Sequence, residues 1–258
     1  MRKLILSFGF LCSFVLINAQ QAGSGFLLSG EVIYQEIVKM DIKLEGVDEQ
    51  LAAQIPKERK SEKVLHFTEH EAMFENLQKD DPEESMPMEG GGMMIKMYQP
   101  DNKSYMDLAQ EKMIEQKEFM SRVFLIESEL KPEKWKMTGQ QRMILDYPCQ
   151  EAITQVEGKE IHAWFTPQIA VAAGPSRYSG LPGLVLAMEM DEGDRTLMAI
   201  QVELKPMEKG VIKKPTKGKK VTPEEYQAIV AEKMKEMGVE EGEGGTGTTH
   251  SVVVRIQQ

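Results

Sequence analysis

The sequence predicts a mainly β protein: one large, curved antiparallel sheet, a half-barrel or sandwich, with a helix near its C-terminus. Three observations carry this. Apolar residues alternate with a period of two through the middle of the chain. Polar, glycine-bearing turns recur between the alternating runs. One late segment changes to helical spacing behind a capping sequence.

Ser29 to Met40 reads as the first strand. Lys63 to Phe67 and Ala72 to Leu77 flank a tight turn near Glu69 and His70. Met93 to Tyr98 and Ser104 to Leu108 flank Pro100-Asp101-Asn102, and Lys117 to Ile126 reads as one further strand. Ala152 to Val156 and Ile161 to Thr166 flank Glu157-Gly158-Lys159. The clearest hairpin surrounds the turn Asp191 to Asp194. Leu184, Leu186, Met188 and Met190 share a face before it, and Met198, Ile200, Val202 and Leu204 share one after it. A sheet of this many strands curls because strands twist.

Three stretches break the alternation. Asp80 to Gly92 reads as a loop rich in Pro, Gly, acid and Met. Lys205 to Lys220 is basic, interrupted by Pro and Gly, and expected to be mobile. Thr222-Pro223-Glu224-Glu225 starts a helix: Thr222 caps it, Pro223 suits its first turn, and Glu225 completes a capping box. That helix should reach about Met237, with Tyr226, Ile229, Val230 and Met234 on its apolar side. Gly242 to Thr249 reads as a spacer before a last strand over Ser251 to Ile256.

The N-terminus reads as a secretory signal. Arg2 and Lys3 precede an apolar run from Leu4 to Ile17, and Ala19 offers a small residue for cleavage. The run is shorter than the ~20 apolar residues that a spanning helix needs. Residues 1–19 are therefore expected to be removed, leaving one exported domain over 20–258, with its core at about 29–204, an extension over 205–258 and no transmembrane segment. The formal charge of −10 argues against nucleic acid and anionic lipid as main partners. Of the two cysteines, Cys12 falls in the signal, so Cys149 is left without an intramolecular partner. It reads as a small buried hydrophobe, because no basic residue close in sequence lowers its pKa.

The most distinctive run is Gly174-Pro175-Ser176-Arg177-Tyr178-Ser179-Gly180-Leu181-Pro182-Gly183-Leu184-Val185. It resembles the signature of the GLPGLI family, with Val185 in place of the closing Ile. Trp135 ahead of a strand, Tyr147-Pro148-Cys149 with Ala152, and Ala163-Trp164-Phe165-Thr166 resemble the family pattern in the same order. The resemblance spans roughly Ser29 to Leu204. It implies an exported Bacteroidetes protein and a periplasmic address. The family has no established activity, so the resemblance implies no catalytic residues.

Physics accounts for the signature in two ways. Gly180, Leu181, Pro182, Gly183 and Leu184 suit a structural corner, with Pro fixing one φ and Gly supplying a positive one. Alternatively the run is a rim loop where Arg177 and Tyr178 meet a ligand. The corner is the simpler reading.

The sequence holds no G-x-S-x-G elbow, P-loop, dinucleotide fingerprint or zinc-protease pair. We therefore expect a binding protein and not an enzyme, with an uncharacterised enzyme as the third reading after the two binding ones. Its ligand would be apolar or a client protein of the envelope, taken on a concave sheet surface. The alternative rests on the 19 methionines. Met86, Met88, Met93, Met94 and Met97 crowd one stretch, and thioethers suit Cu(I). His66 and His70 lie upstream as further donors. No other cofactor is indicated.

Overall fold

The computed structural model describes residues 28–40, 56–77, 83–87, 94–156, 158–236 and 255–257, with the backbone path alone over 83–87, 94–98 and 255–257. The strands are β1 (Gly30–Lys39), β2 (Glu58–Phe67), β3 (Glu71–Asn76), β4 (Glu83–Pro87), β5 (Met94–Tyr98), β6 (Lys103–Asp107), β7 (Lys112–Phe119), β8 (Arg122–Glu129), β9 (Lys136–Ile144), β10 (Tyr147–Val156), β11 (Lys159–Thr166), β12 (Leu184–Met190), β13 (Arg195–Leu204) and β14 (Lys219–Val221). The helix α1 (Pro223–Glu236) and the strand β15 (Arg255–Gln257) follow.

Twelve strands form one open sheet in the order β14-β8-β7-β6-β3-β2-β1-β13-β12-β11-β10-β9. Every pairing in it is antiparallel except β14 with β8. The predicted class holds: a mainly β chain, one large antiparallel sheet and a helix near the C-terminus.

One face of the sheet is apolar. Val32 and Tyr34 on β1, Leu65 and Phe67 on β2, and Leu184 and Leu186 on β12 are all completely shielded. The segment between β11 and β12 lies in this core, with Ile169, Val171, Ala173 and Leu181 buried in it. Tyr34 on β1 donates its hydroxyl to the Val185 carbonyl on β12 at 2.6 Å, across the intervening β13. A buried hydroxyl of this kind needs such a partner. At the other end of the sheet Phe119, Phe124, Ile126 and Val221 pack against Tyr226, Ile229 and Val230 of α1. The capping box forms as predicted. Glu225 N–H donates to the Thr222 hydroxyl at 3.1 Å, and Thr222 N–H donates to the Glu225 carboxylate at 2.8 Å.

Several expectations change. Lys117 to Ile126 is not one strand: Met120 and Ser121 take positive φ and turn β7 back onto β8. β5 does not pair with β6 across Pro100-Asp101-Asn102. It pairs with β4 and β15 in a separate three-stranded sheet, while β6 lies between β3 and β7. The corner is held elsewhere, since the Asn76 side chain donates to the Pro100 carbonyl and Glu118 N–H donates to the Asn102 side chain. The Asp80 to Gly92 stretch contains β4, and at the last predicted strand the described residues are Arg255–Gln257.

The face assigned to β13 is also corrected. Its pairing with β1 skips one residue near Ile200, so the inward parity changes along the strand. Leu197 and Ala199 are buried before the irregularity, Val202 packs on the core after it, and Met198 and Ile200 are exposed. A bulge reverses alternation without any change in composition. The segment after β13, expected to be mobile, is pinned. Lys205 N–H bonds Ser29, Lys214 lies 5.1 Å from the Tyr105 ring centre, Pro215 is buried, and β14 joins the sheet edge.

Candidate functional site

Strict alternation carries charge into the interior. On β2, Arg59, Ser61 and Lys63 share the inward parity of Leu65 and Phe67, and on β1, Glu36 shares that of Val32 and Tyr34. Strand register then sets Glu36 opposite Ser61 and Tyr34 opposite Lys63. Glu36 is fully buried. It accepts from the Ser61 hydroxyl at 2.9 Å and from Arg195 Nε at 2.8 Å, and it pairs with Lys63 Nζ at 3.3 Å. A buried carboxylate is tolerable only with such partners.

Above this cluster lies a cleft of about 50 Å³, open to solvent on one side. Its walls include Arg59, Lys63, Asn76, Lys117 and Arg195, with Phe74 as an apolar wall. Lys63 Nζ also donates to the Asn76 side chain at 2.5 Å. Lys117 pairs with Glu115 at 3.1 Å. Burial pushes the Lys63 ammonium below the ordinary lysine range. Glu36 opposes this, while Arg195 and Arg59 add to it. Four cations, Arg59, Lys63, Lys117 and Arg195, and two carboxylates, Glu75 and Glu115, thus line one small space beside the buried Glu36. The volume is far below the ~300–1,000 Å³ of a site that encloses a drug-sized ligand. It suits one small polar group.

The signature run reaches this cleft through one residue. Ser176 lines it and takes a positive φ of 59°. Arg177, beside it, is exposed and is not among the lining residues. Tyr178 packs its ring on Trp135 with centres 6.4 Å apart, and burial pushes its hydroxyl up to about 12. Trp135 Nε1 donates to the Ser179 carbonyl at 2.9 Å. The rest of the run forms the predicted corner. Leu181 and Leu184 are buried, Gly180 has φ 88°, and Gly183 N–H donates to the Leu181 carbonyl. A Cβ on Gly183 would sit 2.1 Å from the Thr166 carbonyl oxygen.

The methionine set falls outside what is described: Met88 and Met93 altogether, and Met86, Met94 and Met97 as side chains. Among the described residues no group of three or more His, Cys, Asp or Glu is arranged to hold a metal. His66 faces Met73 across the β2–β3 pairing and lies 3.6 Å from Glu31, and His70 is exposed in the turn. Cys149 is buried as expected, and that burial pushes its thiol up to about 11.

A second polar group sits on β9, β10 and β11. His162 Nδ1 lies 2.9 Å from Glu151 and Nε2 lies 3.0 Å from Glu160, while Thr138 donates to Glu151 at 2.7 Å. Carboxylates at both ring nitrogens favour imidazolium, and the hydrogen bond to Glu151 is the largest cause of a raised His162 pKa. A raised folded-state pKa stabilises below the unfolded value of ~6.5, and the gain is lost as pH rises through the folded value. Thermal stability should therefore fall between pH 6 and pH 9 more in the wild type than in His162→Gln. Melts across that range check it, and equal slopes would refute it.

The comparisons with known proteins agree with a β fold and leave activity open. Residues 153–187 match the profile of a family described as a protein of unknown function (Porph_ging). That match covers β11, the core-filling segment with the signature run, and parts of β10 and β12. No curated protein matches the chain. Two solved structures of PNGF-II, in space groups P21 and C2, align with TM-score 0.52 and 16% identity over 79% of this chain. The chain spans about a third of their length, 33% and 32%. At that identity the likeness is one of fold.

Proposed function

We propose that the chain is an exported GLPGLI-type protein that acts by binding, and that its cleft holds an anionic group, a carboxylate, phosphate or sulfate, of a small ligand or client. The carrying observation is the convergence of Arg59, Lys63, Lys117 and Arg195 on one small cleft above Glu36, where they outnumber the two carboxylates of the lining, Glu75 and Glu115. Ordered, partly desolvated cations are costly to assemble, and a bound anion offsets that cost. The cleft volume admits the charged head and leaves the rest of the ligand outside. This favours a polar anchor over a wholly apolar ligand. The export signal at Arg2, Lys3 and the run after them supports an envelope address.

Calorimetric titration of the 20–258 chain with small carboxylates, phosphates and sulfates tests the reading. Binding is expected to weaken by roughly tenfold to a hundredfold in Arg59→Gln, the scale of a charge-assisted hydrogen bond. A variant that keeps its fold by circular dichroism and binds as tightly as wild type would sink the proposal. So would a wild-type chain that takes up none of these anions.

A further inference from the structure

The acidic charge of the whole chain hides a strongly basic strap. Lys205 to Lys220 holds seven lysines and one glutamate in a protein of net −10. The strap is anchored at intervals. Lys205 pairs with Glu31, Lys214 with Asp107 and Lys220 with Glu127. Between these anchors Lys209, Lys213, Lys217 and Lys219 are exposed and have no ion-pair partner among the described residues.

The strap also carries an apolar tip. Val211 N–H donates to the Glu208 carbonyl, and Gly210 at φ 88° completes the bend. A Cβ on Gly210 would meet only the Lys213 side chain within 4 Å, so the bend is uncrowded on that side. Val211 at its end is 38% exposed, between Lys209 and Lys213, and Leu204 is 40% exposed where the strap begins.

We infer that this strap is a docking surface for an anionic lipid bilayer, with Lys209, Lys213, Lys217 and Lys219 on the headgroup phosphates and Val211 entering the interface. Exposed lysines flanking an exposed aliphatic side chain fit a surface that is charged outside and apolar just beneath. Repulsion from the acidic remainder of the chain is screened beyond about 8–10 Å at physiological salt, so the strap acts locally. The inference stands apart from the anion-binding cleft, since none of these four lysines lines it.

Co-sedimentation of the 20–258 chain with vesicles tests it. Binding is expected to phosphatidylglycerol–phosphatidylcholine vesicles and not to pure phosphatidylcholine, and it should fall steeply with added salt. A basic side chain near an anionic surface strengthens association on the order of fivefold. The triple variant K209E/K213E/K217E should therefore lose binding by a hundredfold or more. Val211→Asp should weaken it severalfold while keeping the salt dependence. Failure of the wild type to bind anionic vesicles at low salt, equal binding to both vesicle types, or unchanged binding by the triple variant would each overturn the inference. Arg59→Gln, which changes the cleft alone, should bind vesicles as the wild type does, so the two proposals fail separately.

Discussion

Gly183→Ala should lower the melting temperature by about 6–12 °C, taking about 3 kcal/mol for the clash and roughly 2–4 °C per kcal/mol for a domain of this size. The cause is where the new Cβ goes. It would stand 2.1 Å from the Thr166 oxygen and 2.7 Å from the Thr166 carbonyl carbon. Both are backbone atoms at the end of β11, so neither can rotate out of the way. Gly183 and Thr166 are the two ends of the segment that enters the core, and the chain closes on itself there. The control is Gly158→Ala in the β10–β11 turn. Gly158 has φ 80° with nothing within 4 Å of its Cβ position, so only the left-handed conformation is penalised, by about 1–2 kcal/mol. Calorimetric melts of the two variants separate close approach from backbone conformation. Equal losses would mean that the signature glycine serves its torsion angle alone.

That contrast shows why the signature was legible as a structural corner. Gly and Pro announce turns through local geometry, and local geometry is written locally. The same holds for the hairpins at Glu69-His70, at Gly158 and at Asp191 to Asp194, and for the capping box at Thr222 and Glu225. Ile200 shows where this ends. Nothing in Leu197-Met198-Ala199-Ile200 marks a bulge, because the skipped residue is set by pairing with β1, a strand far away in sequence. The pairing of β6 with β3 across the intervening β4 and β5 was hidden for the same reason.

The cleft was half legible. Period two places Arg59, Ser61 and Lys63 on the side of Leu65 and Phe67, and that parity, followed strictly, marks them as inward. They pass for surface residues because isolated buried lysine and arginine are rare. What compensates Lys63 is Glu36 on β1, which also pairs with Arg195 on β13, and no short-range pattern joins residues 36, 63 and 195. Ser176 was missed by one position. The rim-loop reading chose Arg177 and Tyr178 for their chemistry, whereas the bend at Ser176 turns its neighbours away and leaves the smaller side chain at the cleft.

Glu36→Gln tests whether that charge cluster is held as one unit. Glutamine keeps the shape and some of the hydrogen bonds, but it removes the counter-charge of Lys63 and Arg195. Breaking a buried pair from one side costs about 3–5 kcal/mol, because it leaves an uncompensated charge behind. A loss of that size in urea denaturation is the expected result. Adding Lys63→Met should recover part of it, since the double variant leaves one fewer unpaired cation. The pH dependence has a definite sign. Lys63 already sits below the ordinary lysine range, and Glu36 is what resists that shift. Without Glu36 the folded protein holds the Lys63 proton less tightly than the unfolded chain does. Where the unfolded state binds more protons, stability rises with pH. The deficit of Glu36→Gln should therefore shrink as pH is raised toward the lysine range, and it should not shrink in the double variant. A deficit that stays constant with pH would show that Lys63 does not depend on Glu36, and the cluster would then be a set of separate contacts.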